Sequence, residues 1–149
     1  MNLIKNVLFS RVANAVAAGT TDITTATVTN MAGYDGCCFV ALFGAITNTA
    51  VTAVRVQQDT ISTFTNGTDL EGSSVALATT TADSNKILIN EIYRPQEQYL
   101  KPVVDRATAN AVLDGIIAIQ YGTADKPPTQ GTTVVSGSQV LDSPDEGTA

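Results

Sequence analysis

The chain has 149 residues, of which 44% are hydrophobic and 15% charged, with a net charge of −6, no histidine and no tryptophan. Pervasive disorder is excluded, because it requires low hydrophobicity with high charge, and a chain of this length buries a core without staples. The acidic balance disfavours a surface for nucleic-acid phosphates, and the missing histidine removes His-based triads and His-ligated metal sites.

In chain order, residues 1–10 read as an N-terminal arm or edge strand, with Leu3–Phe9 as the strand candidate. Lys5, the apolar stretch and Ala15-Val16-Ala17 outline a secretory leader, but Asn6, Ser10, Arg11 and Asn14 interrupt its apolar region, so no leader is expected. Ser10 offers a cap and Gly19 a terminator for a short helix over Arg11–Ala18. Ile23–Thr29 and Cys37–Phe43 follow as strands. The intervening Gly33-Tyr34-Asp35-Gly36 is a turn, since a phosphate-cradling loop would open a helix. Cys37–Phe43 is apolar on both parities, the pattern of a central strand covered on both faces. Its two adjacent cysteines point to opposite faces and are poorly placed to bridge one another, and with no other cysteine in the chain this fits a reducing compartment. The longest apolar run, Cys37 to Ile46, has ten residues, whereas a membrane helix needs about twenty.

Val51–Gln57 alternates, setting Val54 and Val56 against Arg55 and Gln57, as in a half-solvated strand. Ile61–Phe64 and Val75–Ala78 are shorter candidates, with the hairpin signal Asn66-Gly67 between them. Ile87–Tyr93 starts apolar on both parities and then alternates until Pro95 stops it. Gln98–Val104 contains Pro102, which predicts an edge or bulged strand. Asp105 offers a cap for a second short helix over Arg106–Leu113, ended by Gly115, before a strand at Ile116–Tyr121 and a weak one at Thr132–Val135. Recurrent Thr and Val, with turn residues between short apolar runs, predict an all-β fold. The expected architecture is an antiparallel sandwich or barrel of jelly-roll type with one or two short helices. Residues 1–121 form the single β domain, and 122–149 a Pro-, Gly- and Thr-rich tail or arm.

Catalytic chemistry finds little support. Asp59, Asp69, Glu71 and Asp83 are the only acids in the loop-rich middle, with Phe64 the one aromatic there, so they read as solvated turn residues and not as a glycosidase pair. Thr65–Gly72 lacks the alternating Asp/Asn ladder of a calcium loop. No nucleophile is paired with a base. The expectation is a non-enzyme without metal or cofactor. Arg94, Lys101 and Arg106 stand near Glu91, Glu97 and Asp105, either pairing within the chain around Pro95 or offering ion pairs to another subunit.

Asn-Ala-Val-Ala-Ala-Gly-Thr-Thr at 14–21, Ala-Asp-Ser-Asn-Lys at 82–86, Tyr-Arg-Pro at 93–95 and Pro-Val-Val-Asp-Arg at 102–106 carry a family resemblance. So do Ala-Asn-Ala-Val-Leu-Asp-Gly at 109–115, Ile-Gln-Tyr-Gly at 119–122 and Glu-Gly-Thr-Ala at 146–149. Over essentially its whole length the chain resembles the capsid decoration, or cement, proteins of tailed bacteriophages. The resemblance implies a structural virion protein made in the host cytoplasm and placed on the outer capsid surface. Its implied partners are the major capsid protein, whose subunit contacts it stabilises, and copies of itself in a homotrimer, with no direct nucleic-acid or membrane contact. Candidate interface residues are Leu3, Ile4 and Val7 as apolar anchors, Arg94, Lys101 and Arg106 as ion-pairing groups, and Val134 and Val135 in a tail that crosses between subunits. A head–tail neck or tail component is the alternative. A carbohydrate-binding adhesion module fits less well, because such sites expose aromatic platforms and only Tyr34, Tyr93, Tyr99 and Tyr121 are on offer.

Overall fold

The structure is a computed structural model and describes residues 2–48, 50, 52–77, 81–106, 108–141 and 146. Its strands are β1 (Leu8–Ala13), β2 (Val16–Gly19), β3 (Thr29–Asn30), β4 (Gly36–Ile46) and β5 (Thr52–Asp59), followed by β6 (Thr68–Asp69), β7 (Val75–Ala76), β8 (Ile87–Tyr93), β9 (Tyr99–Arg106) and β10 (Ala111–Tyr121). All pairings are antiparallel. One sheet, here sheet A, runs β1-β10-β4-β8 with β2 also on β10; the other, sheet B, runs β3-β9-β5-β6 with β7 also on β5. The chain changes sheet after β2, β3, β4, β7, β8 and β9, which wraps two packed sheets in jelly-roll order. The fold is therefore a sandwich and not a closed barrel.

The core follows from side-chain alternation. Cys37, Phe39, Ala41 and Phe43 of β4 and Leu113, Ile116 and Ala118 of β10 face Val54 and Val56 of β5 and Leu100 and Val104 of β9. Three polar side chains span the sandwich. Asn90 of β8 donates to Val54 O at 3.3 Å and Ser73 O at 2.5 Å. Gln120 of β10 donates to Asn30 O of β3 at 2.7 Å. Arg106, ending β9, donates through Nε to Thr21 O at 2.7 Å and through Nη1 to Ala17 O and Ala111 O, both at 2.9 Å.

Several local expectations are corrected. Arg11–Ala18 is not a helix but the end of β1, a break at Asn14–Ala15 and most of β2. Eight residues make a marginal helix, and pairing with β10 buries Val12 and Ala13 instead. Arg106–Leu113 likewise divides between β9 and β10, with residue 107 outside the described set. The only helical turns among the described residues are 3-10 turns at Leu3–Lys5 and Thr81–Asp83. Ile61–Phe64 is a turn, not a strand, with Phe64 at a φ of 54°. Of Ile23–Thr29 only the Ile23–Val104 bridge and the start of β3 pair. The ends of Val51–Gln57 and Val75–Ala78, at 51 and 78, lie outside the described residues.

Pro102 occupies an interior strand, contrary to its reading as an edge or bulge. Val104 exchanges hydrogen bonds with Ile23 on one side of β9, so Leu100, Pro102 and Val104 all direct their backbone groups that way. On that side, β3 pairs with Tyr99 and Leu100, the next bridge is at Val104, and Pro102 falls in the gap. The missing N–H leaves no rung broken.

Candidate binding face

The two sheets differ on their outer faces. On sheet B, Arg55 of β5 donates Nε to Asp105 of β9 at 3.0 Å and pairs with Asp69 of β6. Burial lowers the tendency of Arg55 to stay charged, yet Asp105 and Asp69 more than offset that and hold its pKa above the usual value. Lys101 lies 4.7 Å from the centre of the Phe64 ring. That face is polar and internally paired.

Sheet A is apolar on its outer face. One register row reads Phe9, Ile119, Cys38, Glu91 from β1 to β8; the next reads Arg11, Ile117, Val40, Ile89; Leu42 and Ile87 continue it. Ile87 is 57% exposed, Ile89 55% and Tyr93 59%. Strands buried on both faces read as continuous apolar runs, and β4, β8 and β10 carry such runs. Among the described residues the core covers one of their two faces, and the other is reached only at its margins. The double-sided pattern of Cys37–Phe43 is thus explained from within on the Cys37 side alone, while Cys38, Val40 and Leu42 remain half-buried.

The margins of this face are organised by specific contacts. Tyr121 donates its hydroxyl to Glu91 at 2.5 Å. Burial and then Glu91 push the Tyr121 pKa above its usual value, so the phenol stays protonated. The ring passes over Gly36, where an added Cβ would lie 2.3 Å from the Tyr121 oxygen. Arg94, itself at a φ of 52°, places its guanidinium 5.1 Å from the Tyr93 ring centre. Cys37 and Cys38 are free thiols on opposite faces, as the strand geometry requires. Burial lifts Cys37 to about 12 and also raises Cys38, with Glu91 adding to the latter. Neither is an activated nucleophile.

The sequence-derived interface residues fall in different places. Leu3 lines a cleft with Val7, Cys38, Glu91, Ile119 and Tyr121 at one end of the face. Val134 lines another, of about 460 Å3, with Phe9, Arg11, Leu42 and Ile117. Ile4 lines a third cleft with Gln130, Val134 and Val135, which brings the segment around Ile4 beside residues 130–138. Leu3 and Val135 are exposed, but Val7 is buried and does not serve as an exposed anchor. Arg106 is also withdrawn from the interface set, because it is buried and its guanidinium is engaged by backbone carbonyls of its own chain. Arg94 and Lys101 lie against aromatic rings, and neither belongs to the ion pairs among the described residues. Ile87, Ile89, Val40, Leu42, Ile117 and Ile119 were missed as site residues; their signal was the apolar run on both parities.

Three of the loop acids, Asp59, Asp69 and Asp83, are engaged in local contacts. Asp59 accepts from Ile61 N at 3.1 Å and Asn66 N at 2.9 Å; burial opposes its charge, but these bonds hold its pKa below the usual value. Asp69 pairs with Arg55 and Asp83 with Lys86. Among the described residues no group of three acids or cysteines is placed to hold a metal, and no helix is long and apolar enough to cross a membrane.

No family model matches the chain and no curated protein does. Among solved structures it is similar to one of the disulfide-linked pili of Bacillus endospore appendages, at 13% identity over 83% of this chain and 95% of that one, with a TM-score of 0.48. It is also similar to a chain of infectious bursal disease virus, Gx strain, at 10% identity over 83% of this chain and 32% of that one, with a TM-score of 0.40. At such identities and TM-scores, function is read from the residues of the sheet face and from neither neighbour.

Proposed function

We propose that this chain is a structural virion protein of the decoration class, which sits on the outer surface of a phage capsid and stabilises contacts between major capsid subunits. The observation that carries the reading is the apolar outer face of sheet A, with Ile87, Ile89 and Tyr93 more than half exposed on a chain only 15% charged. A contiguous apolar surface marks a contact site, and sheet B, polar and self-paired, fits the solvent side. The jelly roll is compatible with virion roles, although fold alone assigns no function. The sequence resemblance supplies the capsid as partner. Several modest contacts per assembly add through effective concentration, so no single one needs to be tight.

Copy number in purified virions, counted relative to the major capsid protein, tests this reading. A large, near-stoichiometric fraction supports it. A count of about a dozen moves the protein to a head–tail neck, and absence from the particle overturns both.

A further inference from the structure

The sheet edges are not equally protected. Exposed edges need blunting or cover, because unpaired backbone groups template further strands. On sheet B the edge strands β3, β6 and β7 have two residues each, and β2 on sheet A has four. The β1 edge is capped, with Phe9 N donating to Gln130 Oε1 at 2.9 Å and Arg11 N to Thr133 Oγ1 at 3.0 Å. β8, the opposite edge of sheet A, has seven residues, no proline or lysine, and no break in its register with β4. Phe43 N donates to Lys86 O and Arg94 N to Asp35 O, which fixes the alternation of the residues between. Leu88, Asn90 and Ile92 point their backbone groups at β4, whereas Ile87, Ile89, Glu91 and Tyr93 point theirs outward. Among the described residues no strand pairs on that side, and no hydrogen bond of the chain reaches those outward backbone groups. The same row carries the exposed side chains of Ile87, Ile89 and Tyr93.

We propose that the edge of β8 receives an extended segment of another polypeptide as an added strand. Only extended backbone matches a row of N–H and C=O groups that repeats every second residue. The chemistry of the occupant follows from the row it lies beside. In the antiparallel sense, which every strand pair here takes, β-branched residues stand opposite Ile87 and Ile89. Lys or Arg stands opposite Glu91. Glu91 is the only charged side chain of β8, belongs to none of the ion pairs among the described residues, and sits in a chain of net charge −6. The β8 of a second copy is a poorer occupant, because it brings no cation to Glu91. Strand addition is set by the backbone of β8 and is independent of the capsid reading, so a failed peptide titration leaves virion copy number to be judged on its own.

The probe is the end-blocked peptide Val-Thr-Lys-Thr-Val-Thr-Val, titrated into the full chain up to about 1 mM, where even a weak complex forms. Amide hydrogen exchange, resolved by NMR, is the readout. In the free chain the Ile87, Ile89, Glu91 and Tyr93 amides should exchange faster than those of Leu88, Asn90 and Ile92, and the peptide should slow the first set roughly tenfold or more. N-methylation of the lysine and the next valine, whose N–H groups face β8, should weaken binding roughly tenfold or more, whereas N-methylation of the threonines should not. Ile89→Pro removes one outward N–H without breaking a rung to β4. Checked for retained β-sheet circular dichroism, it should lose the peptide, and Ile89→Thr, which keeps the N–H, should hold it. The proposal is overturned by no added protection, by indifference to which amides are methylated, or by equal loss in Ile89→Thr and Ile89→Pro. Dimerisation of the chain alone through β8 also overturns it, by making a second copy the occupant.

Discussion

Arg106 and Ala111 are five residues apart in sequence but belong to different sheets, and Arg106 Nη1 donates to Ala111 O at 2.9 Å across the step between them. The same guanidinium takes Ala17 O and Thr21 O, while the Arg106 N–H donates to Asp22 at 2.8 Å. One side chain therefore ties β2, the loop after it, β9 and β10 at one end of the sandwich. Replacing Arg106 by Met strands those carbonyls in a buried setting. The expected loss is about 3 kcal/mol, within the range for buried bonds to a charged donor, read from urea denaturation. Near-wild-type stability would show that the clamp contributes little.

Ile87 and Ile89 face outward from β8, so their replacement separates binding from folding. Ile89→Asp is expected to change stability by no more than about 1 kcal/mol, since surface substitutions and strand preferences span that range. Its occupancy on capsids should fall at least tenfold. Full occupancy by a folded I89D protein would remove sheet A from the docking surface.

Gly36 and Tyr121 pack so closely that no side chain fits between them, with a Cβ meeting the phenol oxygen at 2.3 Å. Gly36→Ala should cost about 1–3 kcal/mol through overpacking and release Tyr121 from Glu91. In the double variant G36A/Y121A the two effects should be clearly less than additive, as for residues sharing one contact. Additive losses in denaturation would show that the ring is not the obstacle.

The two thiols give a pH signature. Cys37 is raised from 9.0 to about 12 in the folded chain, mainly by burial. The neutral thiol is the form the fold favours, so its contribution is complete below pH 9 and is lost as pH climbs towards 12. Wild-type stability should decline over that window, and Cys37→Ala should flatten this part of the decline. Maleimide labelling at neutral pH should be slow at both thiols, faster at half-buried Cys38, and blocked at Cys38 once the protein is on the capsid. Equal labelling on and off the particle would count against a covered sheet A.

The sequence by itself determined the class of the fold, because alternation and β-branched content act residue by residue. Ile87–Tyr93 matches β8 at both ends, and Val54 and Val56 point inward against Arg55 and Gln57 as their alternation requires. It also carried the clue to the exposed apolar face, in apolar runs on both parities of β4, β8 and β10. Which face stays open depends on where the rest of the chain packs, and that is a property of strand order. Only the tertiary structure decided that Arg106 closes a corner instead of meeting a partner, that Val7 is buried, and that Pro102 fits a gap beside β3. In each case the deciding groups are backbone carbonyls, N–H groups or strand ends contributed by distant segments. Arg11–Ala18 and Arg106–Leu113 carried helix caps and small residues, but the pull of local signals on so short a stretch is weak. Pairing along β10 was available only once the chain had folded back on itself, and it outweighed them.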